Sequence, residues 1–184
     1  MQLQALLAEV QGLRDLARSL WHKAGERLPS EPSALRDLSW NNKGLDSHDF
    51  VYLSQLLASG ALQNLTSLRL GCNSIGNVGV SALVSACANG ALPYLKELAL
   101  SFNQIGDPGI TSLSEALAVG AMAQLEALWL TNNRIGDAGL VALSDALRKG
   151  ALQKLELLVV DDGPLGTEHP ALKAACESRG ISLE

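Results

Sequence analysis

Residues 95–122 read LKELALSFNQIGDPGITSLSEALAVGAM. Three patterns follow one another in this stretch. In LKELAL the apolar residues alternate, so Leu98 and Leu100 point to one face of a short strand. SFNQIGDPG is polar and glycine-bearing, which reads as a corner. In ITSLSEAL, Ile110, Leu113 and Leu117 recur at helical spacing. The unit is a strand, a corner and a helix.

Working outward, the unit repeats. Gly60, Gly90, Gly120 and Gly150 lie thirty residues apart, each opening GALQNL, GALPYL, GAMAQL or GALQKL. Leu65, Leu95, Leu125 and Leu155 close these segments with the same period. From each leucine the chain reads L-x-x-L-x-L-x-x-N, as LTSLRLGCN, LKELALSFN and LEALWLTNN, with looser copies LRDLSWNNK from Leu35 and LELLVVDDG from Leu155. After the Asn comes x-I-G-x-x-G (SIGNVG, QIGDPG, RIGDAG), then a helix-period stretch in which Leu140, Leu143 and Leu147 match Ile110, Leu113 and Leu117. Strand–helix units in tandem build right-handed parallel crossovers. One unit cannot bury its own apolar face, but stacked units can.

The pattern, over about residues 35–165, resembles the leucine-rich repeat family and, within it, the ribonuclease-inhibitor type, whose repeats carry a full helix. Similar repeats occur in NOD-like receptors and Ran GTPase-activating proteins. The resemblance implies an α/β fold: a right-handed solenoid in a horseshoe arc, with a parallel sheet on the concave side and helices on the convex side. It also implies that Asn73, Asn103 and Asn133 form an asparagine ladder. On physical grounds these amides turn inward at the corner and need partners from neighbouring backbone. Gly76, Gly106 and Gly136 suit a tight turn with positive φ. Asp107 and Asp137 are placed to cap or charge the helix N-terminus.

The domain organisation expected is an N-terminal helical cap and connector over 1–34, five repeats over 35–164 and a C-terminal helical cap over 165–184. Leu3, Leu6, Leu7, Val10, Leu13, Leu16, Ala17, Leu20 and Trp21 share one helical stripe, read as a helix covering the first strand; a partner-binding helix is the alternative. LPSEPS (28–33) is a connector, PALKAACESRG a final helix and ISLE a closing strand stub. Lys43 and Gly163 replace the Asn at the two ends, as terminal repeats do. The chain reads as a complete folding unit that can also be part of a longer protein.

Composition narrows the function. The 184 residues are 47 % hydrophobic, 4 % aromatic and 18 % charged, with a net charge of −5. Leu and Ala must therefore build the core, and no basic excess exists to hold a phosphate backbone. No apolar run approaches the roughly 18 residues of a membrane helix, and the N-terminus lacks a basic leader. Cys72, Cys87 and Cys176 are odd in number and widely spaced, which suits reduced thiols in a cytoplasmic protein. Cys87 stands where Leu117 and Leu147 stand in other repeats, so a buried thiol is expected. His22, His48 and His169 fall in different parts of the solenoid, and no catalytic or phosphate-binding motif is present. Asp161-Asp162-Gly163 lacks the alternating ligands of a calcium loop and reads as a solvated acidic corner. The reading is a non-enzyme with no cofactor and no metal.

Function then rests on the concave face. Between the leucines one column holds Ser39, Arg69, Ala99, Trp129 and Val159. The column before it holds Asp37, Ser67, Glu97, Ala127 and Leu157, and the corner column holds Asn42, Cys72, Phe102, Asn132 and Asp162. Trp129 should sit beside Ala99 and Val159, with Leu157 and Phe102 nearby, as an exposed apolar patch. Arg69, Lys96, Glu97, Glu126, Glu156, Asp161 and Asp162 would surround it. Trp40 and Trp21 read as core and cap packing. The expected function is a protein-binding module recognising a protein partner through this surface, as a monomer. The alternatives are a regulator or inhibitor of an enzyme or small GTPase, and a structural or self-associating segment.

Overall fold

Every L-x-x-L-x-L segment is short enough to make only three residues of strand, and each x-I-G-x-x-G leads into a helix. The computed structural model describes residues 2–161 and 165–184, with side chains from residue 11 onward. The elements run α1 (Gln2–Lys23), β1 (Asp37–Ser39), α2 (Ser47–Ala58), β2 (Ser67–Arg69), α3 (Asn77–Ala88), β3 (Glu97–Ala99), α4 (Asp107–Ala118), β4 (Ala127–Trp129), α5 (Asp137–Arg148), β5 (Leu157–Val159), α6 (Pro170–Arg179) and β6 (Ser182–Leu183). A single 3-10 turn, Pro32–Ala34, interrupts the connector. The six strands form one parallel sheet in chain order. The register is one full repeat at every step: Leu38 pairs with Leu68, Leu68 with Leu98, Leu98 with Leu128 and Leu128 with Leu158. The chain is therefore a right-handed solenoid of alternating strands and helices. Among the described residues no helix is long and apolar enough to cross a membrane.

The core lies between the sheet and the helices. Leu68, Leu98, Leu128 and Leu158 are fully buried from the strand side, as are Leu70, Leu100 and Leu130 one step on. Val80, Ile110 and Leu140 meet them from the helices. A leucine so placed contributes about 1.5–3 kcal/mol over its exposed state. Trp40 occupies the third-leucine position of the first repeat and is fully buried. Trp21 meets it edge to face at 4.7 Å, and the Trp40 indole N–H donates to Glu26.

Two sets of side chains tie the corners together. The Asn103 amide donates to the carbonyls of Leu70, Leu100 and Ser101, and its oxygen accepts from Ile75 N–H. Asn133 repeats this with Leu100, Leu130 and Thr131 and accepts from Ile105. Asn73 does so with Trp40, Leu70 and Gly71 and accepts from Lys43 and Leu45. Gly163, where the next Asn would fall, lies outside the described residues.

The second set differs from the sequence expectation. Asp107 does not cap its own helix. Its carboxylate accepts from Gly136 and Gly139 N–H at 2.6 and 3.1 Å, so it caps α5 of the following repeat. Asn77 caps α4 in the same way through Gly106 and Gly109, and the Ser47 hydroxyl accepts from Gly76. Asp137 reaches His169 Nε2 at 3.0 Å, and the His169 Nδ1 accepts from Leu172 at the start of α6. α3, α4 and α5 begin on glycine, which has no capping side chain, so the cap is supplied by the neighbour, whereas α2 is capped by its own Asp46.

The same geometry corrects the reading of the corner glycines. Gly76, Gly106 and Gly136 have φ of −101°, −108° and −104°, which any residue adopts. Glycine is needed near here for space. A Cβ on Gly109 would lie 2.8 Å from Asn77 Oδ1, and one on Gly139 would lie 2.8 Å from Asp107 Oδ1. The positive φ values fall elsewhere, at Gly60, Gly90, Gly120 and Gly150 after the helices and at the non-glycine residues Leu92, Met122, Leu152, Asn42, Cys72, Phe102 and Asn132.

The ends also differ in detail. α1 packs along α2 and sets Trp21 against Trp40 at the end of β1. Only its last turns, with Ala17, Leu20 and Trp21, are buried; Leu13 and Leu16 are half-buried, and the side chains of Leu3, Leu6, Leu7 and Val10 lie outside the described residues. Lys23 ties α1 to the start of α2 through Asp49 and, at 3.6 Å, Asp46. At the other end Arg179 donates to the carbonyls of Leu147, Ala151 and Leu152, closing the end of α5, while β6 adds a strand to β5.

Asn103→Ala leaves the Ile75 N–H without a partner and removes one bond each from the carbonyls of Leu70, Leu100 and Ser101, and urea unfolding should show a loss of about 1–3 kcal/mol. Asp107→Ala should cost about 1 kcal/mol, and Asp107→Asn, which keeps an accepting oxygen, should cost much less. Equal losses for the two Asp107 variants would show that the cross-repeat cap is not what stabilises α5.

Candidate protein-binding surface

Strand residues between the core leucines face the concavity. The register sets Asp37, Ser67, Glu97, Ala127 and Leu157 in one row and Ser39, Arg69, Ala99, Trp129 and Val159 in the next. Trp129 thus stands between Ala99 and Val159, about 4.8 Å from each strand.

The rows do not form the wide exposed patch that the sequence suggests. Trp129, Leu157 and Val159 are half-buried by their neighbours in the sheet, and Phe102 alone of the four is exposed, at 54 %. A groove of about 420 Å³ lies across β2, β3 and β4 instead. Gly71, Ala99 and Ser101 are its small residues; Arg69, Glu97, Phe102 and Trp129 are its large ones. Leu157, Val159, Glu126 and Asp161 do not line it.

The charges around the groove are largely committed. Arg69 donates to Glu97 at 2.8 Å, and Ser67 donates to the same oxygen at 3.1 Å. The Arg69 guanidinium, helped by the Ser67 hydroxyl, holds the Glu97 carboxyl below its ordinary value. Lys96 pairs with Glu126 at 2.8 Å, which raises the Lys96 pKa. Asp161 is more than a solvated corner: its carboxylate accepts from Asn132 N–H. Its neighbours Asp162 and Gly163 lie outside the described residues. Among the described residues no three His, Cys, Asp or Glu side chains come together to hold a metal ion.

Two groove residues carry an unusual backbone. Cys72 and Phe102 have φ of 56° and 57°, in the left-handed region. A side chain other than Gly, Asn or Asp there costs roughly 1–2 kcal/mol. At the equivalent corner of other repeats stand Asn42 and Asn132, which tolerate it. Leu92, Met122 and Leu152 are left-handed too, but all three are buried, and burial offsets the strain. Cys72 and Phe102 have neither advantage: both are exposed. Cys72 shares the corner column with Phe102, but its reading as one of three reduced thiols gave no sign that it lines the groove. Asn41 and Ser101, which fall just after their strands, line the groove too and were not marked from the sequence.

A sequence-family model described as "Leucine Rich repeat" matches residues 61–84, 91–114 and 124–144. These three stretches are leucine-rich repeats. Among solved structures, leiomodin-1 actin-binding site 2 is similar to these repeats with a TM-score of 0.62 at 15 % identity, covering 87 % of this chain and 88 % of that one. An internalin from Listeria monocytogenes aligns with a TM-score of 0.37 at 19 % identity, over 72 % of this chain and 36 % of that one. No curated protein sequence matches the leucine-rich repeat chain significantly.

The thiols of this repeat sheet divide by burial. Desolvation pushes Cys87 up to about 12 and Cys176 up to about 11, while Cys72 is exposed. Iodoacetamide at mildly alkaline pH, read by mass spectrometry of the folded chain, should alkylate Cys72 alone. Comparable labelling of Cys87 would contradict its burial on the inner face of α3.

Proposed function

We propose that this chain is a protein-binding module that holds its partner in the groove across β2–β4, with Trp129 and Phe102 as anchors. Arg69 and Glu97 shape one side of the groove. Leu157, Val159, Glu126 and Asp161 form the surround toward the C-terminal end. The observation that carries the reading is the left-handed, exposed Phe102 beside an exposed Cys72 in the same groove. The fold gains little from either side chain, and strain of this kind collects at sites of function. A half-buried Trp next to an exposed Phe is also the composition of an interface centre.

The module acts as a monomer and without a cofactor. A full helix in every repeat supports the ribonuclease-inhibitor type. Three unpaired cysteines support a reducing compartment, the cytoplasm. Asn73, Asn103 and Asn133 serve the frame that presents the groove, and the domain division at 34 and 164 separates caps from the binding repeats. Actin, for which the leiomodin site is named, is one defined partner to try in the assay below.

Phe102→Asn separates binding from folding because the two effects have opposite sign. Asn suits the left-handed corner, so the urea midpoint should rise, by about 1 kcal/mol in stability. Capture of the partner in a pull-down should fall by about tenfold, as it should with Trp129→Ala. Unchanged capture by both folded variants would remove the groove as the binding surface.

A further inference from the structure

The groove has a shape and a charge that together specify what it takes. It crosses three strands, so it is about two strand spacings or 10 Å long, which matches about three residues of extended chain. Its floor is Ala99 and Ser101 with Gly71 beside them, and Trp129 and Phe102 rise on one side. A volume of about 420 Å³ suits one bulky apolar side chain with its flanking backbone and not a broad protein face. The Trp129 indole N–H has no hydrogen-bond partner among the described residues, so it is available to a backbone carbonyl of the occupant.

The field around it is acidic. Arg69, which lines the groove, and Lys96 are already paired with Glu97 and Glu126. Glu156 is exposed and shares the single cation Lys96 with Glu126, and Asp161 accepts from a neutral backbone N–H, so carboxylates outnumber cations on this side. They flank Val159, the residue next to Trp129 across the sheet. Asp37 is exposed on β1 at the opposite side. An occupant anchored against Trp129 therefore meets an excess of carboxylates one strand further on, within two residues of extended chain.

We propose that the groove binds an extended peptide segment carrying one bulky apolar side chain with lysine or arginine within about two residues of it. This rests on the reading of the groove as the binding surface. The apolar side chain fills the space beside Trp129 and Phe102. The cationic residue lies toward β5, against Glu156 and Asp161. An acidic segment would be repelled there, which makes charge the discriminating element.

A random-peptide display library selected on the immobilised full chain tests this without presuming a sequence. The peptides recovered should be enriched in a Leu, Met or aromatic residue with Lys or Arg close by. A synthetic peptide of that sequence should bind with a change in tryptophan emission from Trp129, since Trp21 and Trp40 are buried. Affinity should fall about tenfold with Trp129→Ala and should weaken several-fold for Glu156→Gln combined with Asp161→Asn, or on raising salt from about 0.05 to 0.5 M. Replacing the basic residue of the peptide by Glu should abolish binding. Peptides that depend on Trp129 but show no basic enrichment overturn the proposed chemistry and leave the groove as a binding surface. A selection that yields no Trp129-dependent peptide overturns both. Circular dichroism of each variant ensures that loss of binding is not loss of fold.

Discussion

A chain that turns out of a strand and into a helix every thirty residues must bury a corner at each turn, and a buried corner leaves backbone N–H and C=O groups without water. Asn73, Asn103 and Asn133 meet that constraint. Each amide satisfies carbonyls of its own corner and of the repeat before it, and each oxygen accepts an N–H of that earlier repeat. Only a side chain with donor and acceptor at one short reach can do both. The register follows from it: repeats joined at the corner stack with no slip, so Leu68, Leu98 and Leu128 stand in line and the rows between them stand in line as well.

The concave surface inherits this order. Trp129 lies between Ala99 and Val159 because the corners hold the strands at one fixed offset. A groove made from small and large residues side by side on adjacent repeats needs that offset to persist without a partner. Preorganisation of this kind lowers the ordering cost of binding, which is the use a rigid repeat sheet has as a recognition surface. Phe102 shows the other side of the arrangement. The corner that is comfortable for Asn42 and Asn132 is strained for Phe102, so the feature that sets the frame also marks the side chain that departs from it.

Much of the fold was legible because its signals are local and repeated. Alternating leucines, helix-spaced leucines and a fixed period gave strands, helices and their order. The columns on the concave face followed from counting. What one dimension hid was the partner of a side chain. Asp107 sits at the start of α4, and sequence adjacency assigns it to that helix. Stacking places it under α5. The glycines after it read as flexible corners, yet their need is for space beside a neighbour's carboxylate or amide. Leucine and methionine are poor signals of a left-handed backbone, so Leu92, Met122 and Leu152 gave no warning of one. The burial of Trp129 was misjudged for a related reason. A column shows which residues are adjacent, and not how much of a large ring its neighbours cover.

The two sets of corner bonds run in opposite senses along the chain. Asn103 serves the repeat that precedes it, through Leu70 and Ile75. Asp107, four residues later, serves the repeat that follows, through Gly136 and Gly139. Peeling the solenoid from its C-terminal side removes the asparagine on which the remaining end depends, while peeling it from the N-terminal side strips the next helix of its cap. Among the central repeats neither direction offers a free step. The stack has no weak grain along its axis, although every unit in it is made to nearly the same plan.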